Sequence, residues 1–107
     1  MGSDIVSMSL AGPTPSITEE SSLKKIHEEE DVLLIAAAGN DGDTSFAYPA
    51  SYDSVLSVAA VDRHENHASF SQRNSQVDIA APGASVLSTS PNNRCVINQR
   101  VYINMVQ

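Results

Sequence analysis

The stretch Val32-Leu-Leu-Ile-Ala-Ala-Ala-Gly-Asn-Asp41 decides the fold. Val32 to Ala38 is an unbroken apolar run of strand length, and such a run suits a strand covered on both faces inside a parallel sheet. Gly39 permits a sharp exit from that strand. Asn40 then stands at the C-terminal end of the strand, the edge at which open α/β sheets bind ligands. Taken alone, these residues favour an ordinary strand-ending turn with Asn as a turn residue. An amide N–H₂ in that place can also donate to a developing oxyanion.

Upstream, the run from Asp4 to Leu10 is closed by Ala11-Gly12-Pro13 and reads as a strand. Pro13-Thr-Pro15 fixes a loop, and Ser16 with Glu19 forms a capping box that starts a helix over 17–30. The stripe Ile17, Leu23, Ile26 is thin, so this helix lies on a surface with Glu28, Glu29 and Glu30 in water. Strand, helix, strand at this spacing is one right-handed βαβ unit. Downstream, Val55–Val61 is a further strand. The segment between, Gly39 to Ser54, has no helical period and contains Pro49, and long connections of this kind tend to carry function. Val77–Ala80 and Ala84–Ser88 read as two short strands around Pro82-Gly83. The fold class is therefore α/β, a mostly parallel sheet with a flanking helix.

With 107 residues, the chain has room for one small domain at most. Hydrophobic residues at 41% and charged residues at 18% are an ordinary globular balance. Six Lys and Arg against thirteen Asp and Glu give a net charge of −7, which argues against a nucleic-acid partner. No apolar run approaches the ~20 residues of a membrane span, so no membrane partner is expected. No basic segment followed by an apolar stretch marks a secretory signal at the N-terminus. The single cysteine, Cys95, excludes an internal disulfide.

Taken in order, the motifs resemble those of the subtilisin-like serine proteases, the S8 peptidase family. The resemblance runs through Ile5-Val-Ser-Met-Ser-Leu-Ala-Gly12, Val32 to Asp41, Tyr48-Pro-Ala-Ser-Tyr-Asp53 and Ser57-Val-Ala-Ala-Val-Asp62. It continues through Ala68-Ser-Phe-Ser71, Val77-Asp-Ile-Ala-Ala-Pro-Gly83 and Val86-Leu-Ser-Thr89. Each piece is weak alone; their shared order and spacing make chance improbable. Residues 1–90 are accordingly read as a partial peptidase domain within the three-layer subtilisin-like fold, and 91–107 as a tail that does not match the family.

The resemblance implies roles residue by residue. Asn40 matches the oxyanion-hole asparagine. Ser9, Leu10, Ala11 and Gly12 match the segment whose backbone pairs with an extended polypeptide substrate and walls the specificity pocket, and Ala36, Ala37, Ala38 and Gly39 match the opposite wall. Ala11 stands where the family usually has Gly. Ala50, Tyr52, Val55 and Asp78 match positions that supply oxygens to a structural cation, calcium or monovalent, in many members; oxygen sites of this kind suit hard cations. Asp78 reads equally as a turn cap or as a partner of Arg63 or Arg73. No cofactor is required for the chemistry, and location outside the cell is expected from the family alone.

The departures matter as much. The motifs Asp-x-Gly, His-Gly-x-His and Gly-Thr-Ser-Met-Ala, which hold the family's Asp, His and Ser, do not occur in the sequence. The expectation is thus a segment of a serine endopeptidase that supplies the oxyanion asparagine and substrate groove, is inactive alone, and has the remainder of the peptidase domain as its partner. The alternative is a non-catalytic, truncated or degenerate homologue that at most binds peptides. Other motifs carry less. His64-Glu-Asn-His67 lacks further metal ligands, and His27 is expected to be solvated. Asp41-Gly-Asp-Thr-Ser45 lacks the later Gly and terminal Glu of a calcium loop. Cys95 has no thiol-activating neighbours.

Overall fold

The computed structural model describes residues 2–98, so 99–107 of the expected tail lie outside the described residues. Strands β1 (Ile5–Met8), β2 (Leu33–Ala37), β3 (Leu56–Val61) and β4 (Ile79–Pro82) form one sheet in the order β1-β2-β3-β4, every pair parallel. The helix α1 (Ile17–Glu30) crosses from β1 to β2, which gives the expected α/β arrangement. It starts as the capping box requires: the Ser16 side chain accepts from Glu19 N–H at 3.3 Å. It ends at Asp31, which takes a left-handed conformation at φ 54°. No residue of α1 is fully buried; Leu23 and Ile26 pack against the sheet, whereas Ile17 stays 85% exposed.

Alternation along β2 divides the core into two layers. Leu34 and Ala36 face α1 and join Val32, Ala50, Tyr52 and Val55. Ile35 faces the other way, with Val58, Ala60, Ala68 and Ala81. A continuous apolar run is thus required of β2, because both its faces are covered. The loop after β2 returns to the helix layer, where Tyr52 is buried. Its hydroxyl accepts from Ser16 N–H at 2.9 Å and donates to Ser16 O at 3.3 Å, tying that loop to the start of α1. Burial pushes the Tyr52 hydroxyl's pKa up. His27 is exposed, as expected, and its Nδ1 also donates to Val32 O at 2.9 Å, holding the chain as it enters β2.

Two strands sit later than the sequence suggests. Asp78 turns its carboxylate back onto Ser57 N–H, 2.8 Å from Oδ2, and the β4 ladder begins one residue beyond it. Pro82, expected in a turn, ends β4 instead; a residue without an N–H is tolerated on the outer strand of the sheet. Strand β5 (Val86–Ser90) pairs antiparallel with β6 (Arg94–Asn98), a strand the sequence reading did not contain. Asn92 and Asn93 make the reversal at φ 67° and 57°, a region that Asn tolerates better than most residues.

Strand β1 lies at the sheet's other edge, with Ile5 45% and Val6 37% exposed. Unpaired backbone beside exposed apolar side chains is a template for association. The purified 107-residue chain is therefore expected to self-associate with rising concentration, and Ile5→Lys to shift it toward monomer. Sedimentation velocity checks this; a monomer at every concentration contradicts it.

Candidate active-site cleft

Two segments separated in sequence approach each other at the C-terminal edge of the sheet. Ser9 to Pro13, leaving β1, is pinned to the following layer by a reciprocal pair between Gly12 and Tyr48. Gly12 N–H donates to Tyr48 O and Tyr48 N–H to Gly12 O, both at 2.9 Å. Gly39, Asn40 and Asp41, leaving β2, lie opposite. Between them is a cleft of about 600 Å³ lined by these two segments and by Phe46 and Ala47. Leu10 and Phe46 present apolar surface there, 58% and 45% exposed. Ala47 is fixed from behind, where its N–H donates to Ser51 Oγ at 3.2 Å.

Of the residues singled out from sequence, Ser9, Leu10, Ala11, Gly12, Gly39 and Asn40 come together at this cleft. Ala36, Ala37 and Ala38 do not reach it: they are buried, at 1%, 4% and 2% exposure. Asn40 is half-buried, and among the described residues its side chain makes no hydrogen bond, which leaves both amide hydrogens available to a ligand. Of the proposed cation oxygens, Tyr52 O accepts from Val55 N–H at 3.0 Å and Asp78 Oδ2 from Ser57 N–H, while Ala50 and Val55 belong to the core beneath α1. Carbonyl and carboxylate oxygens are of the kind a hard cation takes. Among the described residues no three His, Cys, Asp or Glu side chains converge on a common point, and the one ion pair is Lys25–Glu29 on the surface of α1.

The sequence reading missed what holds Asn40 in place. Gly39 has φ +115°, and a Cβ there would lie 2.9 Å from the side chain of Gln72, which is wholly buried. Gln72 Oε1 accepts from Asp41 N–H at 2.9 Å, and Gln72 N–H donates to Gly39 O at 3.3 Å. Gly42 packs so closely on Ser69 that a Cβ would meet its carbonyl oxygen at 2.6 Å. Arg73 N–H donates to Asp43 O, and Asn74 Nδ2 to Ser45 O. Gln72 sits in a run of polar residues that resembles any exposed loop, so only the buried polar contact, visible in three dimensions, reveals it.

Asp43 closes the turn after Asn40. Its carboxylate accepts from the Ser45 hydroxyl and from Ser45 N–H, and these bonds hold its pKa below the ordinary 3.8. A lowered carboxylate stabilises the folded loop fully above pH 3.8 and loses that contribution as pH falls through the folded value. The Ser45 amide resonance is therefore expected to hold steady above that range and to shift with acidification below it. An NMR titration checks this, and a Ser45 amide that first moves at the ordinary carboxylate pKa contradicts it.

Known proteins resemble this chain along most of its length. A sequence model of the Subtilase family (Peptidase_S8) matches residues 1–105. Subtilisin DY of Bacillus licheniformis is 42% identical over 96 residues, which cover 86% of this chain and 35% of that protein. The major intracellular serine protease of Bacillus subtilis (strain 168) is 38% identical over 96 residues, 85% of this chain and 30% of that protein. The crystal structure of the psychrophilic subtilisin-like protease Apa1 from the Antarctic psychrotroph Pseudoalteromonas sp. AS-11 matches with a TM-score of 0.79 and 56% identity, covering 82% of this chain and 20% of that one. The chain spans about a third of the length of these curated relatives. A family match along nearly the whole sequence, joined to a shared parallel sheet and helix, makes this chain a member of the subtilase family.

Proposed function

We propose that this chain forms the substrate groove and half of the oxyanion hole of a subtilisin-like serine endopeptidase. The observation that supports it is the cleft itself, which Asn40 lines together with Ser9 to Gly12, its side chain making no hydrogen bond among the described residues. An extended polypeptide lies along Ser9–Gly12 as an added strand, with main-chain bonds giving affinity and the Leu10 and Phe46 surfaces giving side-chain contact. A serine attacks the scissile carbonyl, a histidine takes and returns its proton, and an aspartate orients that histidine. Asn40 Nδ2–H donates to the oxygen as it becomes an oxyanion, a bond stronger in the transition state than in the bound substrate. Ala36–Ala38 set the position of Gly39 from inside the sheet. In this reading residues 1–90 carry the groove and oxyanion segments. Ala50, Tyr52, Val55 and Asp78 would hold a structural cation through oxygen atoms, without a part in the chemistry.

The nucleophile, base and orienting acid have no counterpart motif in the sequence, so the remainder of a peptidase domain is the partner that completes the site, and the chain alone is inactive. Location outside the cell remains the family-based expectation for the completed protease. Among the described residues no helix is long and apolar enough to cross a membrane.

Two measurements test this reading. In the protease carrying this segment, Asn40→Leu is expected to lower kcat by about a hundredfold or more with KM nearly unchanged, a magnitude borrowed from the loss that subtilisin suffers when its own oxyanion asparagine is removed. Unchanged turnover would remove the oxyanion role. The purified chain alone is expected neither to react with a serine-directed phosphonate nor to cleave casein. Stoichiometric labelling of a serine, abolished by denaturation, would point to a different active site.

A further inference from the structure

The loop bearing Asn40 has one attachment that no sequence motif marks. Gln72 is wholly buried. It bonds to both peptide units that flank Asn40: its N–H donates to Gly39 O at 3.3 Å, and its Oε1 accepts from Asp41 N–H at 2.9 Å. Its Nε2 donates to Asp41 Oδ2 at 3.3 Å and to Ser45 Oγ at 3.5 Å. The same side chain fills the space that a Cβ on Gly39 would occupy, at 2.9 to 3.0 Å. Asn40 is thus held between two anchors that belong to one residue, while its own side chain bonds to nothing among the described residues.

From this arrangement we infer that Gln72 is the positioning residue of the oxyanion asparagine. The inference rests on the proposed role of Asn40 and deepens it. A donor aimed at a developing charge works only if it is fixed before the reaction, because a donor free to swing must be ordered at the moment of catalysis. Asn40 gains no such order from its own contacts. It gains it from the peptide units on either side, and Gln72 holds both. The glutamine amide suits this role chemically: its oxygen meets a backbone N–H and its nitrogen meets a carboxylate and a hydroxyl, so each end faces a complementary partner. An apolar side chain of the same length would fill the volume and leave Asp41 N–H unpaired. Gln72 does not line the cleft, so it touches no substrate and acts only through Asn40.

A double-mutant cycle in the protease carrying this segment tests the coupling, with kcat and KM measured on a peptide substrate. Gln72→Met keeps the volume and removes the side-chain bonds. It is expected to lower kcat about tenfold with KM changed by less than about twofold, the signature of a displaced catalytic group. In an Asn40→Leu background the same change is expected to lower kcat by less than about twofold, because the group it positions is gone. If Gln72→Met gives no folded enzyme, Gln72→Glu is read in the same cycle; it keeps an acceptor for Asp41 N–H and sets a carboxylate against Asp41 Oδ2. Equal losses in both backgrounds, a loss confined to KM, or no loss beside a crippled Asn40→Leu enzyme would overturn the positioning role and leave the oxyanion reading standing. Full activity of Asn40→Leu itself would remove both.

Discussion

The cleft depends on the absence of one side chain. At Gly39 the backbone leaves β2 at φ +115°, a conformation that L side chains rarely adopt, and a Cβ there would collide with buried Gln72. With glycine in place, the chain turns out of the sheet immediately after the buried strand, and the next residue, Asn40, emerges beside the segment that leaves β1. The two segments are neighbours because β1 and β2 are parallel and adjacent, so that their C-terminal ends open on the same edge. A parallel βαβ unit with a sharp exit therefore builds the cleft, and the later strands serve to brace it.

That bracing is uneven. Below the sheet, Tyr52 couples the loop after β2 to the N-cap of α1, so the helix and loop share one layer. Above it, the segment after β3 folds back: Ser71 Oγ accepts from Ala60 N–H at 2.9 Å, fixing the segment against the sheet just before Gln72 enters the loop that carries Asn40. The polar residues Ser71 and Gln72 are buried for this reason. Each side chain bonds to backbone, and neither would be tolerated there unpaired. By contrast, the outer faces of β1 and the β5–β6 hairpin present exposed Ile5, Leu87 and Ile97, surface suited to further protein rather than to water.

Much of this could be read from the residues. The run Val32–Ala38 announced a strand covered on both faces because nothing polar interrupts it, and Ser16 with Glu19 fixed the helix start because the cap is a local interaction. Asn40 and Ser9–Gly12 were found through ordered motifs, and the structure brings them to one cleft. What escaped was non-local. The shift of β4 follows from Asp78 reaching across to Ser57, and the β5–β6 pairing from two Asn residues that accept positive φ, neither of which hydrophobic periodicity records. Gln72 escaped because its neighbours, Ser71, Arg73 and Asn74, are as polar as those of a solvated loop. Burial of a polar side chain is a property of the assembled fold, invisible to a pattern that counts apolar residues.

The central claim is that Asn40 faces the reacting carbonyl of a peptide laid along Ser9–Gly12. A crystal structure of the protease carrying this segment, bound to a peptidyl boronic acid, tests it most directly, since the tetrahedral boronate places an oxygen where the oxyanion forms. The expected result is Asn40 Nδ2 at about 2.9 Å from that oxygen, an ordinary hydrogen-bond length, with the peptide backbone paired to Ser9–Gly12. A boronate oxygen bound by other groups, with Asn40 turned to solvent or the peptide lying elsewhere, would contradict it.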